Sequence, residues 1–122
     1  MIFLNKNEII RIHQKLIDKF GGIEGLLDEG ALVSALSAVE NRVHYENIDI
    51  YQCAATYAYH ITKAHAFIDG NKRIAAAASE IFLEINGFSF NAQDGEIYDL
   101  FMGIASSEKS RDEIETFFQN VK

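Results

Sequence analysis

His65, Asp69, Asn71, Lys72 and Arg73 fall within nine consecutive residues, His65-Ala66-Phe67-Ile68-Asp69-Gly70-Asn71-Lys72-Arg73, which run directly into a strongly helical stretch, Ile74 to Asn86. They offer a proton acceptor, a hard oxygen ligand, an amide and two fixed cations, with Gly70 among them, at what reads as a helix N-terminus. The first turn of a helix carries N–H groups without intrahelical partners and the positive end of the peptide dipole, so anions bind there. Gly70 lets a ligand approach the main chain, and Asn71 can cap the helix or donate to a phosphate oxygen. Lys72 and Arg73 stand where the dipole alone would favour acidic residues, and a polyanionic ligand explains them. Asp69 is the kind of single carboxylate that Mg²⁺ uses when phosphates complete its coordination. Imidazoles exchange protons near neutral pH, which makes His65 the candidate general base, while Phe67 fastens the loop to the core. The expected roles are therefore a base at His65, a metal ligand at Asp69 and a phosphate cradle from Gly70 to Arg73. The string is not a Walker loop, because no glycine stands five residues before Gly70 and Arg73 replaces the Ser or Thr that follows the lysine. Each residue alone has an ordinary structural explanation; their order and spacing carry the chemistry.

The elements that position this string read as helices. Asn5 and Glu8 form a capping-box pattern opening a first helix, whose apolar positions Ile9, Ile12, Leu16 and Phe20 recur up to Gly21-Gly22. His13 lies on or beside that stripe and reads as a hydrogen-bonding residue at the core edge. The loop Gly21 to Asp28 folds back on the domain through Ile23, Leu26 and Leu27. Asp28 caps a second helix buried through Leu32, Ala35, Leu36 and Val39, and Arg42 to Ile48 reads as a connection anchored by Val43 and Tyr45. Asp49 with Gln52 caps a third helix carrying Ile50, Cys53, Ala54, Tyr57, Ala58 and Ile61, with Lys63 near its end at about Ala64. The helix from Asn71 to Asn86, stopped by Gly87, has an apolar line of Ile74, Ala78, Ile81 and Ile85 widened by Ala75 and Phe82, and is expected to be the most enclosed. After a brief extended segment, Phe88-Ser89-Phe90, Asp94 opens a fifth helix through Ile97, Leu100, Phe101 and Ile104. Ser110 with Glu113 opens a sixth through Ile114, Phe117, Phe118 and Val121. The fold class expected is all-α: a compact bundle of about six helices around a buried central helix, in a single domain spanning residues 1–122.

Composition narrows the function. At 122 residues, 48% hydrophobic and 24% charged, the chain has the make-up of an ordinary soluble globule. A net charge of -7 disfavours direct nucleic-acid binding, which needs a basic face, yet leaves room for a local basic pocket. The single cysteine, Cys53, has no internal partner and sits among Ala54, Ala55 and Tyr57, so it is expected to be a buried, reduced thiol. Met1-Ile2-Phe3-Leu4 is too short for a signal or anchor, and no stretch approaches the roughly 18 apolar residues of a membrane span. No membrane association and a cytoplasmic location are expected. The absence of proline permits long uninterrupted helices.

The string from His65 to Arg73 resembles the signature of the Fic/Doc family, and more closely that of its death-on-curing (Doc) branch, His-x-Phe-x-Asp-Ala/Gly-Asn-Lys-Arg. The likeness continues in Ile12-His13, Gly21-Gly22, Leu27-Asp28-x-Gly30-x-Leu32-x-x-Ala35-Leu36 and Ala55-Thr56-Tyr57. It implies a Fic/Doc-like fold and a Doc-like toxin of a toxin-antitoxin pair. Such a toxin would transfer phosphate from ATP-Mg²⁺ to a Ser or Thr hydroxyl of a protein target and so inhibit translation. The implied target is a translation factor, elongation factor Tu being the first to test. On the same implication His65 takes the hydroxyl proton, Asp69 holds the metal, and Gly70, Asn71, Lys72 and Arg73 bind the nucleotide, with Lys72 and Arg73 also catalytic. The Ser/Thr-x-x-x-Glu-Gly/Asn pattern of self-restrained Fic proteins is not found in these residues, so restraint is expected from a Phd-like antitoxin in trans. In the family the loop after the second helix flanks the cleft, making Val43 to Asn47 candidates for substrate contact. Fic-type adenylyltransferases usually carry Gly-Asn-Gly-Arg and a second arginine three residues on, where this chain has Lys72 and Ala76. Lys72 follows the Doc pattern, whereas Gly70, where the founding Doc pattern has alanine, is Fic-like. Two alternatives accompany the kinase: an adenylyltransferase that tolerates Lys72, and a catalytically idle binding domain.

Overall fold

Local capping chemistry sets where most of the helices begin. The computed structural model describes residues 1–121 and contains α1 (Lys6–Phe20), α2 (Glu29–Glu46), α3 (Ile50–Ala64), α4 (Asn71–Ile85), α5 (Asp94–Ala105) and α6 (Arg111–Asn120). At Asn5/Glu8, Asp49/Gln52 and Ser110/Glu113 each side chain satisfies the other residue's backbone N–H, as their three-residue spacing predicts. Asp28 caps α2 by accepting from Ala31 N at 2.9 Å. At α5 the cap is Gln93 rather than Asp94, with Glu96 reaching back to Gln93 N at 3.2 Å. Among the described residues the chain is all-α, with one antiparallel bridge between Leu26 and Phe67 and no strand. No helix among them is long and apolar enough to cross a membrane.

The buried centre is α3, not the helix that follows the motif. Cys53, Ala54, Ala55, Thr56, Tyr57 and Ala58 are all buried, and α3 packs against α2, α4, α5 and α6. Small side chains around so much of its circumference let neighbouring backbones close in, so α3 occupies the middle. Cys53 is a free thiol there, and burial pushes its pKa up to about 12, which leaves it inert near neutral pH.

Helix α4 lies against α3 and α1, burying Ile74, Ala75, Ala78, Ser79, Phe82 and Leu83. Ile81 and Ile85, expected on its apolar line, fall at the flank of this stripe, and Ile85 is exposed. In α1 the buried face is Ile9, His13 and Ile17, spaced one turn apart, so Ile12 and Leu16 flank it. Phe20, expected on the stripe, is 56% exposed.

Helix α2 continues through the segment expected to be a connection. Arg42 is buried, donating from Nη1 to Glu115 Oε1 at 2.5 Å and to Thr56 Oγ1 at 2.8 Å, and from Nε to Glu46 Oε2 at 3.2 Å. A guanidinium paired with two carboxylates and a hydroxyl thus holds α2 to α3 and α6 where the sequence reads as a connection. Val43 to Glu46 form the last turn, Asn47 is a left-handed C-cap, and Tyr45 is exposed instead of anchored. The end of α4 follows expectation more closely: Gly87 has φ 84° and Phe88 N donates to Leu83 O at 2.9 Å.

Candidate active site

The motif begins where α3 stops. His65 is the C-cap in left-handed geometry, φ 47° and ψ 44°, and its ring is exposed. The next two residues turn inward and are buried. Ala66 O accepts from Leu27 N at 2.7 Å and Asp28 N at 3.1 Å, and Ile68 N donates to Gly25 O at 3.0 Å. The loop before α2 is thereby joined to the motif by main-chain bonds; of the apolar residues expected to fold it back, Leu26 packs against the core, whereas Ile23 and Leu27 are exposed.

Two side chains brace the motif loop. Asn71, the first residue of α4, accepts from Phe67 N at 3.0 Å through Oδ1 and donates to Phe67 O at 2.9 Å through Nδ2. Its amide closes the loop, leaving one Nδ2 hydrogen for a ligand; Gly70, at φ 76°, is the N-cap. His13 is buried and its ring stacks on Phe67 with centroids 3.8 Å apart. Its Nε2 lies 2.7 Å from Asp69 O, and since a carbonyl can only accept, Nε2 carries the proton. His13 is the hydrogen-bonding core-edge residue expected from its position, supporting the loop from behind.

The Asp69 carboxylate is held by backbone on both sides. Oδ2 accepts from Ile23 N at 3.1 Å and Oδ1 from Gly70 N at 2.8 Å. The Ile23 bond, then the Gly70 bond, and the charge of Arg73 lower its pKa below the usual carboxylate range, so it is ionised at neutral pH. Each oxygen keeps a further lone-pair site for a cation. Among the described residues no group of three or more His, Cys, Asp or Glu side chains could hold a metal. A magnesium ion here would rest on Asp69 and on oxygens that a ligand brings, which fits a site with one carboxylate.

Gly22 makes this placement possible. A Cβ on Gly22 would lie 2.6 Å from Asp69 Oδ2 and 3.0 Å from Ile17 Cδ1, and its φ of +123° is one that other residues rarely adopt. Gly22→Ala should therefore expel Asp69 from its two-amide seat. The expected result is a loss of stability on the order of 1–3 kcal/mol in thermal unfolding, with weaker Mg²⁺-dependent nucleotide binding by calorimetry. Wild-type values for both would show that Asp69 does not depend on this close approach.

A cavity of ≈ 720 Å³ lies between the end of α1, the motif loop, the first half of α4 and one face of α5. That is within the roughly 300–1,000 Å³ typical of small-molecule sites. His65, Asp69, Gly70, Asn71, Lys72 and Arg73 all line it. Lys72 and Arg73 are exposed in the first turn of α4, and the Arg73 guanidinium lies over the Phe20 ring, 4.8 Å from its centroid. Val43 to Asn47 do not line the cavity, whereas Phe20, Gly21 and Gly22 do. Sequence reasoning also left out Thr62 and the α5 residues Ile97, Tyr98, Phe101 and Met102 as site residues. Their periodicity marked the α5 residues as helical, but only packing shows that this face looks onto the motif.

The Fic/DOC family profile matches residues 3–83, from the approach to α1 to the last turns of α4. The chain is 34% identical over 111 residues to "Protein kinase doc" of Escherichia phage P1, spanning 90% of this chain and 87% of that protein. It is 36% identical over 77 residues to "Toxin Doc" of Mycolicibacterium smegmatis, spanning 60% of this chain and 58% of that protein. With the helical architecture and the motif loop at the head of α4, these similarities lead to one assignment: the chain belongs to the Fic/Doc family, in its death-on-curing branch.

Proposed function

We propose that the protein is a Doc-like toxin that transfers the γ-phosphoryl group of ATP-Mg²⁺ to a serine or threonine hydroxyl of a protein target. The observation that carries this reading is the shared cavity: an exposed imidazole, an ionised carboxylate and two cations around the N-terminus of α4. The similarity to a protein named as a kinase supports phosphate as the group transferred. Phosphoryl transfer asks mainly for positioning and charge stabilisation, which this arrangement of fixed charges and oriented N–H groups is suited to provide.

In this mechanism His65 takes the proton of the target hydroxyl as its oxygen bonds to the γ-phosphorus, while the bond from that phosphorus to the bridging oxygen breaks and ADP leaves. Lys72 and Arg73 offset the negative charge that moves onto the leaving oxygens. Gly70 lets the phosphates approach the main chain, and Asn71 contributes its spare amide hydrogen. Asp69 is the residue that would hold Mg²⁺, which when bound neutralises charge on the terminal phosphates. The reading extends to a translation factor as target, elongation factor Tu first, to a Phd-like antitoxin as the restraining partner, and to action in the cytoplasm as a single domain.

Lys72 and Ala76 favour phosphate over AMP, because a second arginine, which adenylyltransferases place at the position of Ala76, is replaced on the cavity wall by a methyl group. The test is incubation of the purified protein with a cell extract and ATP labelled on either the α- or the γ-phosphate, followed by mass spectrometry of the modified protein. Label from the γ position and a mass increase of one phosphate are expected. Transfer of α-label would make the protein an adenylyltransferase, and nucleotide turnover absent from both arms would leave an idle binding domain.

A further inference from the structure

Helical hydroxyls commonly donate to the carbonyl one turn back, and this chain does so at Thr56 to Gln52 O (2.7 Å), Ser79 to Ala75 O (2.8 Å) and Thr116 to Asp112 O (2.9 Å). Thr62 does not. It is 1% exposed, and its Oγ1 is the one buried side-chain polar atom without a hydrogen-bond partner among the described residues. A hydroxyl in that state costs stability that an isosteric valine would not, so its presence calls for a use.

Thr62 lies in the last turn of α3, three residues before His65, and lines the same cavity. The α5 wall of that cavity is Ile97, Tyr98, Phe101, Met102 and Ala105, one helical face, with Asp94 at its N-terminal end as the only charged group that α5 contributes. Tyr98 is 65% and Met102 39% exposed, apolar surface without a covering element. The fixed cations lie elsewhere, at Lys72 and Arg73. The cavity thus has a cationic part at the head of α4 and a largely apolar part along α5, with one carboxylate, Asp94, at its end. A nucleotide is divided in the same way, into charged phosphates and a flat, nearly neutral nucleoside. A lone neutral hydroxyl suits the second, since a phosphate is served by cations and N–H donors.

We propose that Thr62 is a nucleotide-binding residue whose hydroxyl hydrogen-bonds the nucleoside portion of the ligand, with the apolar face of α5 as the surrounding wall. The inference rests on the nucleotide reading given above. Its test is calorimetric titration of the wild type, Thr62→Val and Thr62→Ser with ATP and, separately, with inorganic tripolyphosphate, both with Mg²⁺. Thr62→Val should melt at or above the wild-type temperature without ligand, because the unpaired hydroxyl is gone. It should bind ATP about three- to tenfold more weakly and tripolyphosphate equally well. Thr62→Ser, which keeps the hydroxyl, should bind ATP as the wild type does. The proposal is overturned if Thr62→Val binds ATP with wild-type affinity, if it loses both ligands equally, or if Thr62→Ser loses as much as Thr62→Val. A wild type that binds tripolyphosphate as tightly as ATP overturns the nucleoside contact alone. A wild type that binds neither removes the nucleotide reading and this inference with it.

Discussion

His65→Ala should fold like the wild type and transfer phosphate about 10²- to 10⁴-fold more slowly. The ring of His65 is exposed and has no hydrogen bond among the described residues, so its removal leaves the core and the loop's main-chain bonds intact. The backbone at this position is left-handed, φ 47°, and alanine bears a steric penalty there similar to that of histidine. A change in stability beyond about 0.5 kcal/mol is therefore not expected. His65→Asn sharpens the comparison, because asparagine tolerates left-handed geometry well yet cannot act as a base. Both variants should retain the wild-type melting temperature within a few degrees and lose the γ-label transfer together. Retained transfer in either would mean that the target hydroxyl loses its proton elsewhere, and that the motif histidine serves only to turn the chain out of α3.

Arg73→Ala should slow transfer by about 10²- to 10³-fold with little effect on folding, since Arg73 is exposed and its described contact is with Phe20. The guanidinium stands in the first turn of α4, where its charge adds to the helix dipole and to Lys72 at the place proposed for the terminal phosphates. Because charge on a transferring phosphoryl group shifts most in the transition state, the loss should appear in kcat more than in nucleotide affinity. Arg73→Lys should recover part of the rate, as the charge remains while the planar fork is lost. Phe20→Leu separates charge from position. An exposed cation–π contact is worth about 0.5–1 kcal/mol, so this variant should fall only a few-fold. Wild-type turnover in Arg73→Ala would exclude the guanidinium from charge stabilisation and leave Lys72 with α4 alone.

Most of the helix starts were legible because capping acts over three residues. Asn5 with Glu8, Asp49 with Gln52 and Ser110 with Glu113 need only their own backbone to be satisfied, so the pattern in sequence is the interaction itself. Where the reading went astray, a distant partner had changed the meaning of a residue. Arg42 reads as the start of a connection until Glu115, seventy-three positions away, neutralises it inside the core. Phe20 reads as the last residue of an apolar stripe, yet stands at the cavity mouth against Arg73.

By itself the amino-acid sequence determined the all-α class, the order of the helices and the ordered set His65, Asp69, Gly70, Asn71, Lys72 and Arg73 at a helix entrance, since each of these follows from periodicity and neighbours a few residues apart. Only the tertiary structure decided that α3 forms the centre, that Gly22 and Ile23 seat the Asp69 carboxylate, that His13 props the loop, and that α5 walls the cavity beside an unpaired Thr62. The physical reason is range: capping and helical periodicity are local, whereas a carboxylate meeting an amide 46 positions earlier, or a hydroxyl left without a partner, exists only once the chain has packed.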